Sequence, residues 1–436
     1  MAHHVQRLEE LGPVDIGRVI THPWQVRSLD VIIELIHRLR EIESWRSYYD
    51  FQRRLVGGLL ETERHFAHAS RMAKRAHKGK PVDPPETGDW ELDRLVYRRV
   101  GRQLRSVGDA LAWRLFNFDR RVIVAVSRNE SPGPMFGKEG LGREIGEVKH
   151  AWENEHAFAL LHDATNCMRI GDVTKFMPGR ADLVEIKKDP KKLGREQVER
   201  MERVVATINE GAPMLVDGQQ VELLGTSQQF RTHLPDLRRG LDAARREGHI
   251  SIRLGTGWVV SITALTIDRP MTEEEALAQI ERQKTARDRA FSKAGLPDVK
   301  HHLRARRLDR LDLNPIAAPY AIYPFDPETC AMLTCDFLVY DSTMAWDRLS
   351  AGFEAHGFTT RCELPEEAGP MRPDMPVILA SKDHYGVLLR ASGIDQVLLE
   401  LVEPRAYAAA VEEVAAAGRD VAAGVFTFSN EKATWR

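Results

Sequence analysis

The chain has 436 residues, 43% of them apolar and 29% charged, with a formal net charge of −2. That length exceeds one hydrophobic core, and that composition excludes both a disordered chain and a polycation, so any basic surface must be local. Four cysteines (Cys167, Cys330, Cys335 and Cys362) form no C-x-x-C pair, the first residues hold no apolar signal-like core, and no apolar run is long enough to span a bilayer; these features predict a reduced, cytoplasmic protein with buried free thiols and no membrane partner.

Residues 27 to 77 show helical spacing, with Leu29, Ile32, Ile33, Ile36 and Leu39 on one stripe and Ser28 as an N-cap. Prolines and glycines mark residues 78 to 89 as a linker. A second helix is expected over 90 to 118, where Arg94, Arg98, Arg102 and Arg105 share a face that reads either as solvated or as phosphate-contacting. The run 120 to 127 reads as a strand or a buried helix end. The loop that follows lacks the order G-x-x-x-x-G-K-[ST] and so makes no nucleotide cradle. A helix is expected over 143 to 166. Its His150, His156 and His162 do not share a face, which argues against zinc; His162 reads as a hydrogen-bonded structural histidine, and Asp163, Thr165 and Asn166 as the helix end.

The stretch 171 to 188, GDVTKFMPGRADLVEIKK, reads as a hairpin turning at Pro178-Gly179. Strand alternation points Glu185 and Lys187 the same way, with Asp172 opening the first strand close to them. Two converging carboxylates repel unless a cation neutralises them, and hard oxygen donors suit Mg²⁺ or Mn²⁺. An amphipathic helix follows over 194 to 210, then strand, helix and two strands to 265, a charged helix over 272 to 294, and a basic run, KHHLRARRLDRLD. From Pro315 short apolar segments read as strands, among them FLVYDS, PVILAS, YGVLLRAS and QVLLELVEP, with an alanine-rich helix beside them.

Asp172 followed by the acid-x-Lys triplet Glu185-Ile186-Lys187 resembles the PD-(D/E)xK nuclease superfamily, the restriction-endonuclease-like fold, over about residues 140 to 265. Gly171 stands where the family's proline would be. The resemblance implies a metal site made by Asp172, Glu185 and a glutamate from the preceding helix, Glu155 ahead of Glu153, with Lys187 activating the attacking water and Gln197 joining from the following helix. Lys188, Lys191, Lys192 and Arg195, crowded after the triplet, are expected to contact phosphates.

The expected fold class is a multidomain α/β protein: a mostly helical N-terminal region (1–125), a restriction-endonuclease-like α/β core (126–270), a charged helical connector (271–314) and a C-terminal α+β domain (315–436). The expected function is a Mg²⁺- or Mn²⁺-dependent nuclease that hydrolyses phosphodiester bonds of nucleic acid, DNA ahead of RNA. Genome defence or repair is suggested by analogy of fold, and the flanking domains would serve a protein partner or oligomer. The alternative is a non-catalytic nucleic-acid-binding or scaffold protein whose hairpin merely exposes a Glu–Lys ion pair.

Overall fold

The computed structural model describes residues 13–85, 87–127, 132–187, 194–212, 214–216, 219–224, 226, 230–265, 272–297, 301–306, 317–363, 376–383, 385–417 and 424–426. The N-terminal part is helical: α1 (Pro13–Ile20), α2 (Pro23–Arg40), α3 (Trp45–His77), α4 (Trp90–Leu115) and α5 (Arg120–Val126). Their starts are chemically marked. Ser44 and Ser47 form a capping box on α3, and the Asp89 carboxylate accepts from the N–H groups of Glu91 and Leu92 on α4. The run 120 to 127, open between strand and helix in the sequence, is the helix α5.

The central elements are α6 (Leu141–Asn154), β1 (Phe158–Leu161), β2 (Val173–Met177), β3 (Arg180–Val184), α7 (Arg195–Glu210), β4 (Met214–Val216), β5 (Gln219–Leu224), α8 (Leu234–Glu247), β6 (His249–Arg253) and β7 (Trp258–Ala264). The helix expected over 143 to 166 is corrected here. It stops at Asn154, His156 takes a left-handed φ of 51°, and Phe158–Leu161 becomes a fully buried strand. A short continuous apolar run has the same appearance in a buried helix and a buried strand, so periodicity could not separate them.

Strands β1, β2 and β3 form an antiparallel meander, with Leu161 opposite Val173 and Val173 opposite Val184. The β2–β3 turn falls at Pro178-Gly179, where Gly179 supplies a φ of 74°. Both edges of this small sheet are closed by side-chain amides. On β1, Gln52 of α3 donates to the Ala159 carbonyl at 2.8 Å and accepts from the Leu161 N–H at 2.9 Å. On β3, Asn209 of α7 accepts from the Ala181 N–H and donates to its carbonyl, both at 2.9 Å. Unpaired strand edges would otherwise leave backbone groups unsatisfied.

The remaining elements are α9 (Glu273–Ala294), β8 (His302–Arg306), α10 (Pro327–Thr334), β9 (Leu338–Ala345), α11 (Trp346–Glu354), β10 (Thr359–Cys362), β11 (Pro376–Lys382), β12 (Tyr385–Arg390), α12 (Ala391–Leu399), α13 (Pro404–Ala417) and β13 (Gly424–Phe426). QVLLELVEP is not a strand: Gln396 to Leu399 end the helix α12. The architecture is mixed helix and sheet, with four small sheets among the described residues. One of them, in the order β6-β7-β9-β8, draws its strands from three of the four regions expected from the sequence. Among the described residues one large apolar cluster runs from Val19 to Ala415. Cys167, Cys330 and Cys335 are buried in it as free thiols. No helix of the described residues is long and apolar enough to cross a membrane.

Candidate active site

Asp172 is positioned by its own backbone and by its neighbours. Its N–H donates to the Val184 carbonyl at 2.9 Å, and its carbonyl accepts from the His162 N–H at 3.0 Å. Its carboxylate Oδ2 accepts the Ile186 N–H at 2.7 Å, so a side chain takes over the strand pairing where β3 ends. Gly171 has a φ of 82°. Proline, locked near −65°, cannot take that conformation, which explains why glycine precedes the aspartate. The residue called a structural histidine is one: His162 is buried, Nδ1 donates to the Gly171 carbonyl at 2.9 Å, and Nε2 accepts from the Thr174 hydroxyl at 2.7 Å. Burial holds its pKa down to about 4, so the ring is neutral at pH 7.

Because Asp172 grips the amide of Ile186, the residues on either side of that amide come to the same place. The Glu185 side chain is 8% exposed and meets the Lys187 ammonium at 2.5 Å. Burial raises the Asp172 carboxyl, the Ile186 N–H opposes that, and the charge of Glu185 raises it further. Hydrogen bonding to Glu185 raises the Lys187 ammonium, and Asp172 adds to it. The charges of Glu185 and Lys187 are thus both felt at Asp172, but β3 ends at Val184, so the triplet lies just past the strand and not in alternation along it as the sequence predicts.

Three residues that the sequence reading missed complete the cluster. The Lys138 ammonium lies 2.8 Å from Glu144 Oε1, 2.7 Å from Asp163 Oδ2 and 3.7 Å from Asp172 Oδ1. Burial works against that ammonium, but the hydrogen bonds to Asp163 and Glu144 prevail and hold its pKa above the ordinary lysine value. Glu144 is 1% exposed, and its Oε2 is buried with no hydrogen-bond partner. Burial pushes its carboxyl up, Lys138 pulls it down, and Asp172 and Asp163 push it up again. A signal for Glu144 was present: Leu141, Glu144, Val148 and Ala151 recur at three- and four-residue steps, so a carboxylate sits in the apolar stripe of α6. Nothing in local spacing pointed to Lys138. Asp163 read as a helix end because β1 was read as helix.

The helix glutamate beside Asp172 is therefore Glu144. Glu155 lies just past α6 and meets the Lys175 ammonium at 2.8 Å, and Glu153 is exposed, 3.6 Å from Lys149. Gln197 is half-buried in the first turn of α7, and no hydrogen bond ties its side chain to Asp172, Glu185 or Lys187 among the described residues. Arg195 is exposed and pairs with Glu199 at 2.7 Å. Lys188, Lys191 and Lys192 lie outside the described residues. The arginine face of α4 is not a uniform phosphate stripe. Arg94 pairs with Glu91 at 2.6 Å, Arg98 covers the Phe66 ring, and Arg105 is buried on Glu63 while its Nε holds the Asp163 carbonyl at 2.9 Å. A groove of about 460 Å³ between β3 and α7, walled by Leu183, Val198, Met201 and Val205, opens beside Glu185.

The donor chemistry suits a hard divalent cation. Glu144, Asp163, Asp172 and Glu185 set four carboxylates against the ammoniums of Lys138 and Lys187, leaving two negative charges and one orphaned buried oxygen. The arrangement of the side chains is a different matter. Among the described residues no group of three or more His, Cys, Asp or Glu stands as a ready metal cage. The Lys138 ammonium instead lies between Glu144, Asp163 and Asp172. Comparisons with protein-family models, curated proteins and solved structures give no match.

Proposed function

We propose that this protein is a divalent-metal-dependent nuclease that hydrolyses phosphodiester bonds of DNA or RNA. One observation carries the reading: Asp172 grips the Ile186 amide and so gathers Glu185 and Lys187 beside the buried Glu144 and the half-buried Asp163. Asp172, Glu185 and Glu144 would hold Mg²⁺ or Mn²⁺, which supplies Lewis-acid activation of water and neutralises charge at phosphorus. The chain's own residues do the rest. Lys187, 40% exposed, reaches solvent and stabilises the negative charge that develops on the phosphate oxygens. Ile186 and Gly171 fix the Asp172 carboxylate, and the groove beside Glu185 accepts part of the substrate. Water attacks phosphorus in line, a new P–O bond forms, and the ester P–O bond breaks with the proton passing to the leaving oxygen.

A second reading is favoured by Lys138. With that ammonium on Glu144, Asp163 and Asp172, the cluster is neutralised in part without a metal, as expected of an inert nucleic-acid-binding or scaffold protein that keeps the hairpin. One experiment separates the two. The purified protein is incubated with plasmid, single-stranded DNA and RNA in Mg²⁺, Mn²⁺ or EDTA, alongside Asp172→Ala and Lys187→Ala with circular dichroism as a fold check. Cutting that needs a metal and disappears in both variants supports the nuclease. Cutting that survives EDTA or both substitutions removes the metal site, and binding without cutting in either metal favours the second reading.

A further inference from the structure

A second site of a different kind lies on the sheet β6-β7-β9-β8. Along β6 and β7 the side chains alternate. Ile252 and Ile262 face α8 so closely that a Cβ on Gly240 would come within 2.4 Å of Ile262 Cδ1. The opposite face carries His249, Ser251, Ser261 and Thr263. A polar strand face ordinarily meets water, yet α9 packs over this one. Only part of the cover is sealed by apolar contact, where Ala290 and Phe291 of α9 join Val259, Ala294, Leu296 and Ala345. Along the middle of α9 the helix and sheet leave a cleft of about 220 Å³, room for about seven waters at ~30 Å³ each.

The floor of the cleft is already ordered. The hydroxyls of Ser251 and Ser261 are 3.0 Å apart, His249 Nδ1 meets the Thr263 hydroxyl at 3.0 Å, and Arg304 on the far wall donates to Asp341 at 2.7 Å. Burial and then Arg287 lower the His249 pKa, so the imidazole is a neutral hydrogen-bonding group at pH 7. On the α9 side, Lys284 makes no ion pair among the described residues. The Arg287 guanidinium lies over the Phe291 ring at 5.8 Å, and its buried Nε makes no hydrogen bond among the described residues and stands 3.8 Å from the Asp288 carboxylate. Two cationic donors thus face hydroxyls and a neutral imidazole across a cavity of small-molecule size.

We propose that this cleft binds a small phosphorylated molecule of about sugar-phosphate size, with its phosphate on Lys284 and Arg287 and its polar body on His249, Ser261 and Thr263. A doubly charged phosphate matches two cations, and the outer N–H groups of the Arg287 guanidinium, which line the cleft, are donors that phosphate oxygens accept. A nucleic-acid duplex cannot follow its backbone beneath a packed helix, whereas a monoester enters from the open end.

The test uses the full chain and ribose 5-phosphate as probe, with ribose and inorganic phosphate as controls, in titration calorimetry and thermal-shift assays. The expected result is saturable binding of ribose 5-phosphate, no binding of ribose, and weaker binding of inorganic phosphate. Lys284→Ala with Arg287→Ala should weaken ribose 5-phosphate by about tenfold or more, Arg287→Lys by less, and Asp172→Ala not at all. The proposal is overturned if ribose 5-phosphate gives no saturable signal at ~10 mM, a concentration that would report even a Kd of about 1 mM. Equal binding to the Lys284/Arg287 double variant, inorganic phosphate binding as tightly as the ester, or loss of binding in Asp172→Ala would overturn it as well. The last control keeps this outcome separate from the fate of the nuclease reading.

Discussion

Two residues around Asp172 carry sharp, opposite electrostatic demands. His162 is buried and neutral, with a folded pKa of about 4 against an ordinary 6.5. Between those values the unfolded chain takes up a proton that the folded chain refuses, so stability is full above pH 6.5 and falls as the pH drops toward 4. The integrated effect is about 3 kcal/mol. Urea denaturation of wild type and His162→Gln across pH 7 to 4.5 should show the variant less stable at pH 7 and its deficit shrinking on acidification; a constant deficit would mean that His162 does not titrate against folding. Lys138 presents the other case. Lys138→Met would leave the 1%-exposed Glu144 without its cation, at a cost of about 2 kcal/mol, less than for a fully buried pair because Lys138 itself is partly exposed. If the cluster accepts a divalent ion, millimolar Mn²⁺ should then raise the variant's Tm more than that of the wild type, since the competing ammonium is gone. An equal Mn²⁺ response in both proteins would show that Lys138 does not guard the site.

At the scale of elements, the site depends on how closely α4 approaches the short turn His162–Ala164. A Cβ on Gly108 would lie 1.9 Å from the Ala164 carbonyl oxygen, which is backbone and cannot swing away. Next to it, the Asp109 carboxylate accepts from the Asn166 and Cys167 N–H groups at 2.6 and 2.8 Å. Gly108→Ala should therefore push the turn that carries Asp163 away from Lys138 and cost about 3 kcal/mol or more, read as a lower denaturation midpoint. Gly57→Ala, where a Cβ meets nothing within 4 Å, serves as the control and should be neutral or slightly stabilising. The sequence made the hairpin legible because its signals are local: alternation, a Pro-Gly turn, and an acid and lysine two residues apart. It also showed α7 through amphipathic spacing, and α8 and α9 as helices. It hid β1 and α12, whose apolar runs have no period that separates helix from strand. The contribution of Lys138 was hidden for a different reason, because it reaches Asp163 and Asp172 across tertiary distance from a loop that has no motif.

For the whole molecule, the decisive question is whether the C-terminal part is separable. Composition changes after Pro315 suggest a domain of its own, yet the structure ties that part to the rest in several ways. Strand β7 pairs with β9 from Trp258 opposite Met344 to Ala264 opposite Leu338. The Gln25 side chain of α2 donates to the Cys335 carbonyl at 2.9 Å, and Arg120 forms a pair with Glu400 in which both side chains are almost wholly buried. Removing residues beyond about 312 would expose the edge of β7, strand-like and apolar at Trp258, Val259 and Val260, and would strand the Arg120 guanidinium in the core. The truncated chain should therefore aggregate or fail to fold, and cannot report on regulation. Arg120→Ala in the full chain, which leaves the Glu400 carboxylate buried and unpaired, should destabilise by about 3 to 5 kcal/mol. Its effect should appear in the same unfolding transition that a tryptophan in the N-terminal helices reports, because one apolar cluster spans both parts. Trp113 lies in that cluster under the Arg120 guanidinium, 5.0 Å from the ring centre, and its own resonance in ¹⁹F NMR of fluorotryptophan-labelled protein, separate from those of the other seven tryptophans, follows the N-terminal side. Hydrogen exchange at the amides of α12 and α13 follows the C-terminal side. Coincident loss of both signals in urea would establish one cooperative body; a C-terminal transition that precedes Trp113 by a resolved interval would establish two.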